Sequence, residues 1–465
     1  MTPVTTPMKK QLFGTDGIRG VAGEYPLDDE TVFVIGAALG HSISRSWPRL
    51  GARSGTRPSV LIGMDTRESG PGLAELMAGG LEASGADVQF AGVLTTPGVA
   101  HLTQRGEFDC GIMISASHNP FEDNGVKVFG AAGFKLPDSE EHEIEAAIFK
   151  LLEQPVEPQR RKLEIEESAA TRYLDHLSNI WPLDHKLDSF RVVVDCANGA
   201  ASELAPLLFA RLGVTAEFIG NRPDGRNINR DCGSLHLDGL GEKVIESGAD
   251  LGIAFDGDAD RALFVAENGQ TVDGDVVLLL AARHMAERKR LTNHLVVTTL
   301  MANMGLEKAL QASGVKMVRT PVGDKYVLEA MVQREAALGG EQSGHIIFRE
   351  HATTGDGLLT ACALLEILSA NHEPLSKLAG RLTVFPQTIK NVRVTHKPPI
   401  EDLPVLTEAI SASERELAGR GRVIVRYSGT EPLLRVMIEA ETDEDVARHS
   451  SRLVRIVEEQ LGAER

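Results

Sequence analysis

Three aspartates stand at alternate positions in the segment Asp-Gly-Asp-Ala-Asp-Arg at 256–261. Asp256, Asp258 and Asp260 are separated only by one glycine and one alanine, so their carboxylates can turn toward a single hard cation. Mg²⁺ keeps open coordination positions that phosphate oxygens can fill. The spacing therefore predicts a Mg²⁺ site with these three ligands, against the simpler alternative of a solvated acidic turn.

An EF-hand calcium loop is a second cation site that this spacing suggests, since Glu267 falls at its twelfth position. Two features argue against it. Arg261 occupies the turn position that needs glycine, and Ala262–Ala266 is typical of a strand rather than of a loop. Arg261 is instead expected to bind a substrate phosphate beside the metal.

A candidate nucleophile lies in Ser-Ala-Ser-His-Asn-Pro at 115–120. A serine hydroxyl reacts only when a neighbour takes its proton or a metal stabilises its product. Ser117 precedes His118, and Lys127 follows after a turn marked by Asn-Pro and Asn-Gly. By itself the loop is read equally well as an Asn/Ser/Pro turn. Together with a loop of three carboxylates, a phosphorylated Ser117 would supply the oxygen that completes the metal shell.

Two glycine-bracketed segments offer further ligand-binding groups. Phe13–Gly20 would let the backbone approach a ligand closely while Arg19 contacts a phosphate. The segment Gly-Gly-Glu-Gln-Ser-Gly-His presents Glu341, Ser343 and His345. That set suits hydrogen bonds to sugar hydroxyls, and it suits a structural turn equally well.

A phosphate cradle is predicted in Arg-Tyr-Ser-Gly-Thr-Glu-Pro near the carboxyl end. Arg426 would provide a bidentate fork, while Ser428, Gly429 and Thr430 would provide hydroxyl and amide donors. Lys325, in Val-Gly-Asp-Lys-Tyr, could add one more cation for an anion, although a solvated turn suits that segment as well.

The composition limits the partners of this chain. Its 465 residues include 48 Lys and Arg against 66 Asp and Glu, a net charge of −18. Such a charge disfavours nucleic acid or an anionic membrane as the main partner. If the ligand is an anion, the positive side chains must be concentrated in one cleft. Apolar residues make up 42% and charged residues 25%, which is an ordinary globular composition.

The spacing of the cysteines and the absence of long apolar runs bear on the cellular compartment of this protein. The amino terminus has no apolar run behind its lysines, and no stretch approaches 18 uncharged apolar residues. No C-x-x-C motif is present, and three of the four cysteines lie among apolar neighbours, which predicts buried thiols in a reducing environment. The four are Cys110, Cys196, Cys232 and Cys362. We expect a cytoplasmic protein without membrane contact.

The candidate loops fall at matching places in three repeats of one unit. Each repeat has short apolar strands separated by helical stretches, as in the predicted helix around Leu73–Ala83, which indicates β-α-β units and a largely parallel sheet. Ligands bind such sheets beyond the carboxyl ends of the strands. The strands that lead into the polar loops are Cys110–Ile114, Leu251–Phe255 and Ala337–Gly340. We therefore expect the three loops to share one site.

Changes of pattern divide the chain into four predicted domains, three similar mixed α/β domains and a C-terminal α+β domain, around a central cleft. The Pro- and charge-rich stretch Glu153–Glu167 reads as a linker, and the pattern changes near Phe385. The C-terminal elements are predicted as strands Ile389–Thr395, Arg422–Tyr427 and Leu434–Glu439 and helices Asp402–Ala418 and Asp443–Leu461. The predicted domain ranges are 1–155 with the serine loop, 168–266 with the aspartate loop, 267–380 with the Glu341 loop and 386–465 with the Arg426 loop.

Five motifs in one order resemble the α-D-phosphohexomutase superfamily, and the resemblance extends from end to end. They are Phe-Gly-Thr-Asp-Gly-Ile-Arg-Gly, Ser-Ala-Ser-His-Asn-Pro, Asp-Gly-Asp-Ala-Asp-Arg, Gly-Glu-Gln-Ser-Gly-His and Arg-Tyr-Ser-Gly-Thr-Glu-Pro. The opening segment Phe13–Gly20, together with Val-Gly-Asp-Lys-Tyr and His-Ala-Thr-Thr-Gly-Asp-Gly, is most similar to the bacterial branch that acts on glucosamine phosphates. The resemblance implies isomerisation of glucosamine 6-phosphate to glucosamine 1-phosphate, on the route to UDP-N-acetylglucosamine and peptidoglycan.

Matched motif by motif, the resemblance makes Ser117 the phosphoserine and a fourth Mg²⁺ ligand beside the three aspartates. His118, Lys127 and Arg19 fall where the superfamily places groups for proton transfer and phosphate contact. The loop Arg426–Thr430 falls where it holds the phosphate that is not transferred. The residues expected to recognise the sugar are Glu341, Ser343 and His345. The resemblance also implies glucosamine 1,6-bisphosphate as intermediate and activator, and it allows a homodimer.

Three other functions share parts of this pattern. A phosphomannomutase or phosphoglucomutase on the same scaffold differs in the sugar, which is selected mainly by hydrogen bonds from the Glu341–His345 loop. A metal-dependent phosphatase needs only one phosphate site, so the second phosphate cradle argues against it. A non-catalytic sugar-phosphate sensor would be marked by a degraded serine or metal loop, and both loops are intact.

Overall fold

The computed structural model describes residues 10–46, 57–180, 187, 189–428 and 431–462. Its strands form four sheets, and the chain divides into two compact units. The first unit comprises Met1–Met301 and Gly314–Gly380, and the second comprises Ala302–Ser313 and Arg381–Arg465. Among the described residues, no helix is long and apolar enough to cross a membrane.

The first sheet has six strands in the order β1-β2-β6-β5-β3-β4. Strand β3 pairs in parallel with β4 and β5, whereas β6 runs antiparallel to β5. Its strands are β1 (Phe13–Gly14), β2 (Gly17–Val21), β3 (Ser59–Met64), β4 (Asp87–Val93), β5 (Cys110–Ile114) and β6 (Asp123–Gly130). Its helices are α1 (Asp29–Ser46), α2 (Gly70–Ala83), α3 (Thr96–Leu102) and α4 (Asp138–Leu152), with a π-helical turn at Thr103–Glu107. All five residues of β5 are buried, as expected for a strand covered on both faces.

The second sheet has the order β11-β10-β9-β7-β8, with β7 parallel to β8 and β9 and with β10 antiparallel to β9. Its strands are β7 (Arg191–Asp195), β8 (Thr215–Ile219), β9 (Leu251–Phe255), β10 (Ala262–Ala266) and β11 (Thr271–Val272). The helices are α5 (Ser168–Ile180), α6 (Ala201–Arg211) and α7 (Asp238–Ser247), with a 3₁₀ turn at Gly233–Leu235. Ala262–Ala266 is the strand that the sequence predicts in place of an EF-hand loop.

The third sheet has the order β13-β12-β14-β15. Strand β12 pairs in parallel with β13 and β14, and the edge strand β15 runs antiparallel to β14. Its strands are β12 (Leu295–Thr299), β13 (Lys316–Thr320), β14 (Leu338–Gly340) and β15 (Ile346–Phe348). The helices are α8 (Gly274–Glu287), α10 (Asp324–Gln333), α11 (Gly357–Asn371) and α12 (Leu375–Ala379), with a 3₁₀ turn at Thr292–His294. The antiparallel pairs β5–β6, β9–β10 and β14–β15 are equivalent, so the predicted threefold repeat is present in the structure.

The second unit holds an antiparallel sheet of order β16-β18-β17. Its strands are β16 (Gln387–Arg393), β17 (Gly421–Tyr427) and β18 (Leu433–Ala440), and its helices are α13 (Pro404–Leu417) and α14 (Asp443–Leu461), with a 3₁₀ turn at Ile400–Asp402. Helix α9 (Met304–Ala312) also belongs to this unit, although it lies inside the range 267–380 predicted for the third domain. Buried Glu439 accounts for that attachment, because it pairs with Arg422 and accepts a 2.6 Å hydrogen bond from the Met304 amide.

The predicted class, mixed α/β domains followed by an α+β domain, is confirmed. The four cysteines are free thiols, and Cys110, Cys196 and Cys362 are buried, as the sequence predicts. The exact domain ranges remain predictions.

Candidate active site

The three polar loops follow equivalent strands of the first unit and line one cavity. The serine loop follows β5, the aspartate loop follows β9 and the Glu341 loop follows β14. The cavity has a volume of about 390 Å³. Its charged and titratable lining residues are Asp16, Arg19, His118, Asp260, Arg261, Asp324, Glu341 and His345. The expectation of one site shared by the three loops therefore agrees with the structure.

Ser117 lies at the centre of the serine loop in an unusual backbone conformation. Its φ is +53°, in the left-handed region that a residue with a Cβ seldom adopts, and the residue is fully buried. The conformation directs Oγ toward the aspartate loop, where it donates a 2.6 Å hydrogen bond to Asp256 Oδ2. The Nδ1 atom of His118 lies 3.3 Å from the same oxygen. A hydroxyl in this place has both a carboxylate and an imidazole within reach.

The three aspartates of the second loop form a group suited to a metal ion. Each offers a carboxylate oxygen, and these oxygens lie within 4.8 Å of one another. Asp256 and Asp258 are fully buried, and Asp260 is 3% exposed. Two oxygens, Oδ1 of Asp258 and Oδ1 of Asp260, are buried without a hydrogen-bond partner. Buried carboxylate oxygens that lack partners are costly unless a cation binds them, so this donor set fits a hard divalent ion.

Lys127 places a positive charge against the same aspartates. Its Nζ lies 2.7 Å from Asp258 Oδ2, 3.2 Å from Asp260 Oδ2 and 3.1 Å from Asp16 Oδ2. Burial opposes the charged form, but the carboxylates of Asp16, Asp258 and Asp260 outweigh it and raise the pKa of Lys127 well above its ordinary value. The ammonium group therefore stays protonated at neutral pH.

The aspartates differ among themselves. Burial and the neighbouring carboxylates of Asp260 and Asp258 raise the pKa of Asp256 well above its ordinary value. Burial also acts on Asp260, but the Lys127 ammonium overrides it and holds the pKa of Asp260 well below its usual range. Three neighbouring carboxylates resist losing all their protons, because their negative charges repel one another. A bound cation would favour the fully ionised form.

Two arginines and a histidine complete the wall around Ser117. Arg19 pairs with Asp16, and its Nη1 lies 3.3 Å from the carbonyl oxygen of Ala116. The Nε atom of Arg261 lies 3.8 Å from Asp260 Oδ1. Burial alone would lower the pKa of Arg261, but Asp260 and other nearby carboxylates outweigh it and raise that pKa. Burial, together with these two guanidinium groups, lowers the pKa of His118 to about 4. His118 is therefore neutral at pH 7.

The Glu341 loop brings two of its three predicted residues to the cavity. The backbone amide of Glu341 donates to the carbonyl oxygen of His345 at 2.9 Å, and its carboxylate accepts a 3.3 Å hydrogen bond from the amide of Gly323. The imidazole of His345 accepts a 2.8 Å hydrogen bond from the amide of Gly355 and approaches Asp260 to 3.7 Å. Ser343 lies in the turn between them, is partly exposed and is not among the lining residues.

Lys325 is not brought to the cavity. Its ammonium lies 2.5 Å from Asp138 and 3.3 Å from Glu141, two carboxylates that neutralise it away from the loops. The neighbouring Asp324 lines the cavity instead. The structure therefore gives no support to the prediction that Lys325 binds a phosphate.

The predicted phosphate cradle lies in the second unit. Arg426 is on β17 opposite Arg435, and the carbonyl oxygen of Ser428 accepts a 2.7 Å hydrogen bond from Nζ of Lys397. Gly429 and Thr430 lie outside the described residues. Lys397 is a further cation at this loop that the sequence analysis did not select.

Three residues of the first unit were also missed. Asp16 pairs with Arg19, Lys127 and Lys135, and Lys135 bridges Asp16 to Asp324. Asp16 stands between the glycines of the first motif and Asp324 beside Lys325, so both were adjacent to selected residues. Lys135 carries no local signal, because its partners lie 119 and 189 residues away in the sequence.

Comparison with protein families gives four matches in chain order. The models of the phosphoglucomutase/phosphomannomutase α/β/α domains I, II and III match residues 10–155, 171–269 and 273–385. The model of the C-terminal domain of the same family matches residues 389–456. The superfamily predicted from the five motifs is therefore confirmed.

Individual proteins match over almost the whole chain. The phosphoglucosamine mutase of Solibacter usitatus is 52% identical over 455 residues, which cover 98% of this chain and 100% of that protein. The phosphoglucosamine mutase of Koribacter versatilis is 51% identical and covers 97% of this chain and 98% of that protein. Among solved structures, a phosphoglucomutase/phosphomannomutase family protein from Burkholderia thailandensis superposes with a TM-score of 0.78 at 25% identity, covering 97% of this chain and 99% of that one. With these end-to-end matches and the four domain models, the chain belongs to the phosphoglucosamine mutases of the phosphoglucomutase/phosphomannomutase family.

Proposed function

We propose that this chain interconverts glucosamine 6-phosphate and glucosamine 1-phosphate by passing a phosphoryl group through Ser117. The observation that carries the proposal is the position of the Ser117 hydroxyl. Ser117 is fully buried, and its hydroxyl lies 2.6 Å from Asp256 and 3.3 Å from His118, beside the cluster of Asp258, Asp260 and Lys127. A hydroxyl surrounded by a carboxylate triad and buried cations suits phosphoryl transfer, in which charge stabilisation provides most of the catalysis.

Mg²⁺ is the proposed metal, held by Asp256, Asp258 and Asp260 together with an oxygen of phosphorylated Ser117. The buried Oδ1 atoms of Asp258 and Asp260 accept no hydrogen bond, which supports this choice. Arg261 and His345 approach Oδ1 of Asp260 only to 3.8 and 3.7 Å. Bound there, the ion would supply positive charge to the phosphoryl group and lower the charge on the departing serine oxygen. Oxygen-only ligands with room for phosphate are the set that Mg²⁺ prefers.

The reaction consists of two transfers in opposite directions. In the first, the bond between phosphorus and Ser117 Oγ breaks and a bond from phosphorus to a sugar hydroxyl oxygen forms. The proton of that hydroxyl passes through a nearby base to the released Oγ. The sugar then carries two phosphates, and after it reorients, its other phosphate returns to Ser117 by the reverse step. Lys127 and Arg19 offset the charge that develops during each transfer. Neutral His118 can accept a proton at Nδ1, 3.3 Å from Oγ.

The two ends of the substrate need different partners. We assign the phosphate that is not transferred to the second unit, at Arg426, Ser428, Gly429 and Thr430, on the strength of the motif in the sequence. Arg261 would contact the transferring group. The residues assigned to the sugar are Glu341, Ser343 and His345. The ammonium of glucosamine favours a carboxylate partner, and Glu341 is the carboxylate of that loop.

Phosphorus NMR of the purified protein tests this proposal. The protein with Mg²⁺ and a trace of glucosamine 1,6-bisphosphate receives glucosamine 6-phosphate, and parallel samples receive mannose 6-phosphate and glucose 6-phosphate. We expect glucosamine 1-phosphate to appear fastest. If mannose 6-phosphate or glucose 6-phosphate is converted faster, the proposed site residues stand but the proposed substrate is wrong. Release of free phosphate alone would indicate a hydrolase.

A role in cell-wall precursor synthesis, a cytoplasmic location and a homodimer also belong to this proposal. They follow from the superfamily resemblance and from the composition.

A further inference from the structure

The backbone of the serine loop is gripped by two side chains that the mechanism does not use. The carbonyl oxygen of Ser117 accepts a 3.0 Å hydrogen bond from Nη2 of Arg67 and a 2.9 Å hydrogen bond from Nδ2 of Asn229. The carbonyl oxygen of Asn119 accepts from the same two nitrogens at 2.9 and 3.0 Å. The Ser117–His118 and Asn119–Pro120 peptide groups are therefore each held by both side chains.

All five N–H groups of the Arg67 guanidinium donate hydrogen bonds in or beside this loop. Beyond the two bonds from Nη2, its Nη1 donates to the carbonyl oxygens of Pro120 and Asp123, and its Nε donates to Asp65 at 2.9 Å. The Arg67 side chain is fully buried. A guanidinium group has five N–H donors in a fixed plane, which a lysine cannot reproduce with three donors on one nitrogen.

Asp65 extends the grip to the amide side of Ser117. Its carboxylate accepts a 2.6 Å hydrogen bond from Ser115 Oγ, and Ser115 Oγ accepts a 2.9 Å hydrogen bond from the amide of Ser117. The amide and the carbonyl of the nucleophile are thus both tied to the Asp65–Arg67 pair.

Asn229 reaches the loop from the part of the chain that carries the second sheet. Its own backbone is left-handed, with φ +57°, and its amide donates to the carbonyl oxygen of Ala197 at 2.9 Å. Thr66, the neighbour of Arg67, donates a 2.5 Å hydrogen bond to the carbonyl oxygen of Asn198 in the same region. The segments that carry Arg67 and Asn229 are therefore joined to each other through hydrogen bonds to the carbonyl oxygens of residues 197 and 198.

This grip explains how Ser117 holds its conformation. A non-glycine residue at φ +53° persists only where the surrounding contacts determine the backbone more strongly than its own preference does. If the peptide relaxed, Oγ would leave its place beside Asp256, and a displacement of the order of 1 Å is enough to slow a transfer about 100-fold.

We propose that Arg67 and Asn229 are positioning residues that clamp the Ser117 peptide and thereby aim Oγ at the metal loop. The inference rests on the proposed function in that Ser117 is the group phosphorylated. Neither side chain contacts the substrate in this scheme, so their loss should lower kcat while KM for glucosamine 6-phosphate changes little.

The test compares Arg67→Lys, Asn229→Ala and Asn229→Ser with the unsubstituted protein. In single-turnover experiments with Mg²⁺ and glucosamine 1,6-bisphosphate, intact mass follows the gain of one phosphoryl group on dephosphorylated protein. We expect the rate and the steady-state kcat to fall about 100-fold for Arg67→Lys and at least 10-fold for Asn229→Ala, with KM within about 2-fold. Asn229→Ser, which keeps one donor, should recover part of the Asn229→Ala loss.

Asn198→Ala is the matched control. Asn198 is also a left-handed, partly buried asparagine at the same end of the second sheet, but its side chain bonds to Asn227, Arg222 and Cys232 rather than to the serine loop. We expect its kcat within 2-fold of the unsubstituted protein. Thermal unfolding of each variant shows whether a lower kcat comes from loss of the fold or from misplacement of Ser117 Oγ in a folded protein.

The clamp is refuted if folded Arg67→Lys and Asn229→Ala accept the phosphoryl group at the unsubstituted rate, or if their defect lies in KM alone. An equal loss in Asn198→Ala would also overturn it, because a general disturbance would then suffice. If the unsubstituted protein takes no phosphoryl group from the bisphosphate, the proposed function and the clamp both fall.

Discussion

Replacing Gly257 by alanine probes how closely the serine loop and the aspartate loop approach each other. A Cβ at this position would lie 2.4 Å from the carbonyl oxygen of Ser117 and 3.0 Å from Nδ2 of Asn229. Ordinary contacts of a Cβ begin near 3.4 Å, so the Ser117 carbonyl has to retreat by about 1 Å. The oxygen is fixed backbone rather than the free end of a flexible side chain, so the strain passes to the nucleophile and to the metal loop.

The expected magnitude follows from that displacement. A misplacement of about 1 Å in a transfer step costs about 100-fold in rate, which corresponds to about 2.7 kcal/mol of activation free energy. Gly257 has no left-handed backbone in this structure, so an alanine there is strained only by the contact and not by its own φ. The effect should therefore appear mainly in kcat.

The assay is steady-state conversion of glucosamine 6-phosphate by Gly257→Ala over a range of Mg²⁺ concentrations. We expect kcat to fall about 100-fold and the Mg²⁺ concentration for half-maximal activity to rise. Gly239→Ala is the control, because a Cβ there meets nothing within 4 Å and its residue lies in helix α7. A Gly257→Ala enzyme with unchanged kcat and unchanged Mg²⁺ response would show that the two loops are not tightly packed against each other, and the reasoning would be wrong.

Three further predictions address the nucleophile, the metal and the acid stability. Ser117→Ala should abolish turnover and phosphoryl uptake by intact mass, and near-normal activity in that variant would remove Ser117 from the mechanism. We expect Mg²⁺ to raise the Tm of the unsubstituted protein, since a ligand that binds only the folded state stabilises it. Asp258→Asn should lose both this rise and the activity, and a retained rise would place the metal elsewhere. Burial, with His176 and Arg105, lowers the pKa of His101 to about 3. The unfolded chain takes up this proton near pH 6.5 and the folded chain does not, so stability falls as the pH drops from 6.5 toward 3, by about 1–2 kcal/mol between pH 7 and pH 5 after allowance for solvent screening. His101→Gln should reduce that loss in urea unfolding at the two pH values, whereas an equal loss would show that His101 titrates normally.

The repeating elements could be predicted because local patterns determine them. Strands β5 and β9 agree with the sequence prediction residue for residue, since short runs of buried apolar residues end at polar loops. Helix α2 begins at Gly70, three residues before the predicted Leu73, because Pro71 is favourable in the first turn of a helix. In the second unit, β16 and α13 each differ from prediction by about two residues at their ends. Such boundaries depend on capping contacts that the apolar pattern does not encode.

The site was predicted where one loop carries its own chemistry and missed where function depends on distant partners. The three aspartates lie within five consecutive positions, and their grouping is visible in the sequence alone. Arg67 touches carbonyls 50 to 56 residues away, and Asn229 reaches 112 residues to Ser117. Backbone carbonyls leave no trace in side-chain patterns, so the sequence does not show which carbonyls a buried arginine or asparagine will bind. Arg67 does follow a buried strand at the edge where β5 also ends, and that placement is the signal that would have marked it.

The charges around the cavity give a reason why the proposed metal would act together with the cationic side chains. For an anionic ligand, the net charge of −18 led us to expect positive side chains concentrated in one cleft, but the cavity holds more carboxylates than cations. The cavity and its cluster hold four cations, Arg19, Lys127, Lys135 and Arg261, against six carboxylates, Asp16, Asp256, Asp258, Asp260, Asp324 and Glu341. With all six carboxylates ionised, this leaves an excess of two negative charges, which contributes to the raised pKa of Asp256 and would repel a phosphate dianion. One divalent cation would cancel that excess, so the proposed Mg²⁺ would make the site receptive to phosphate as well as reactive toward it.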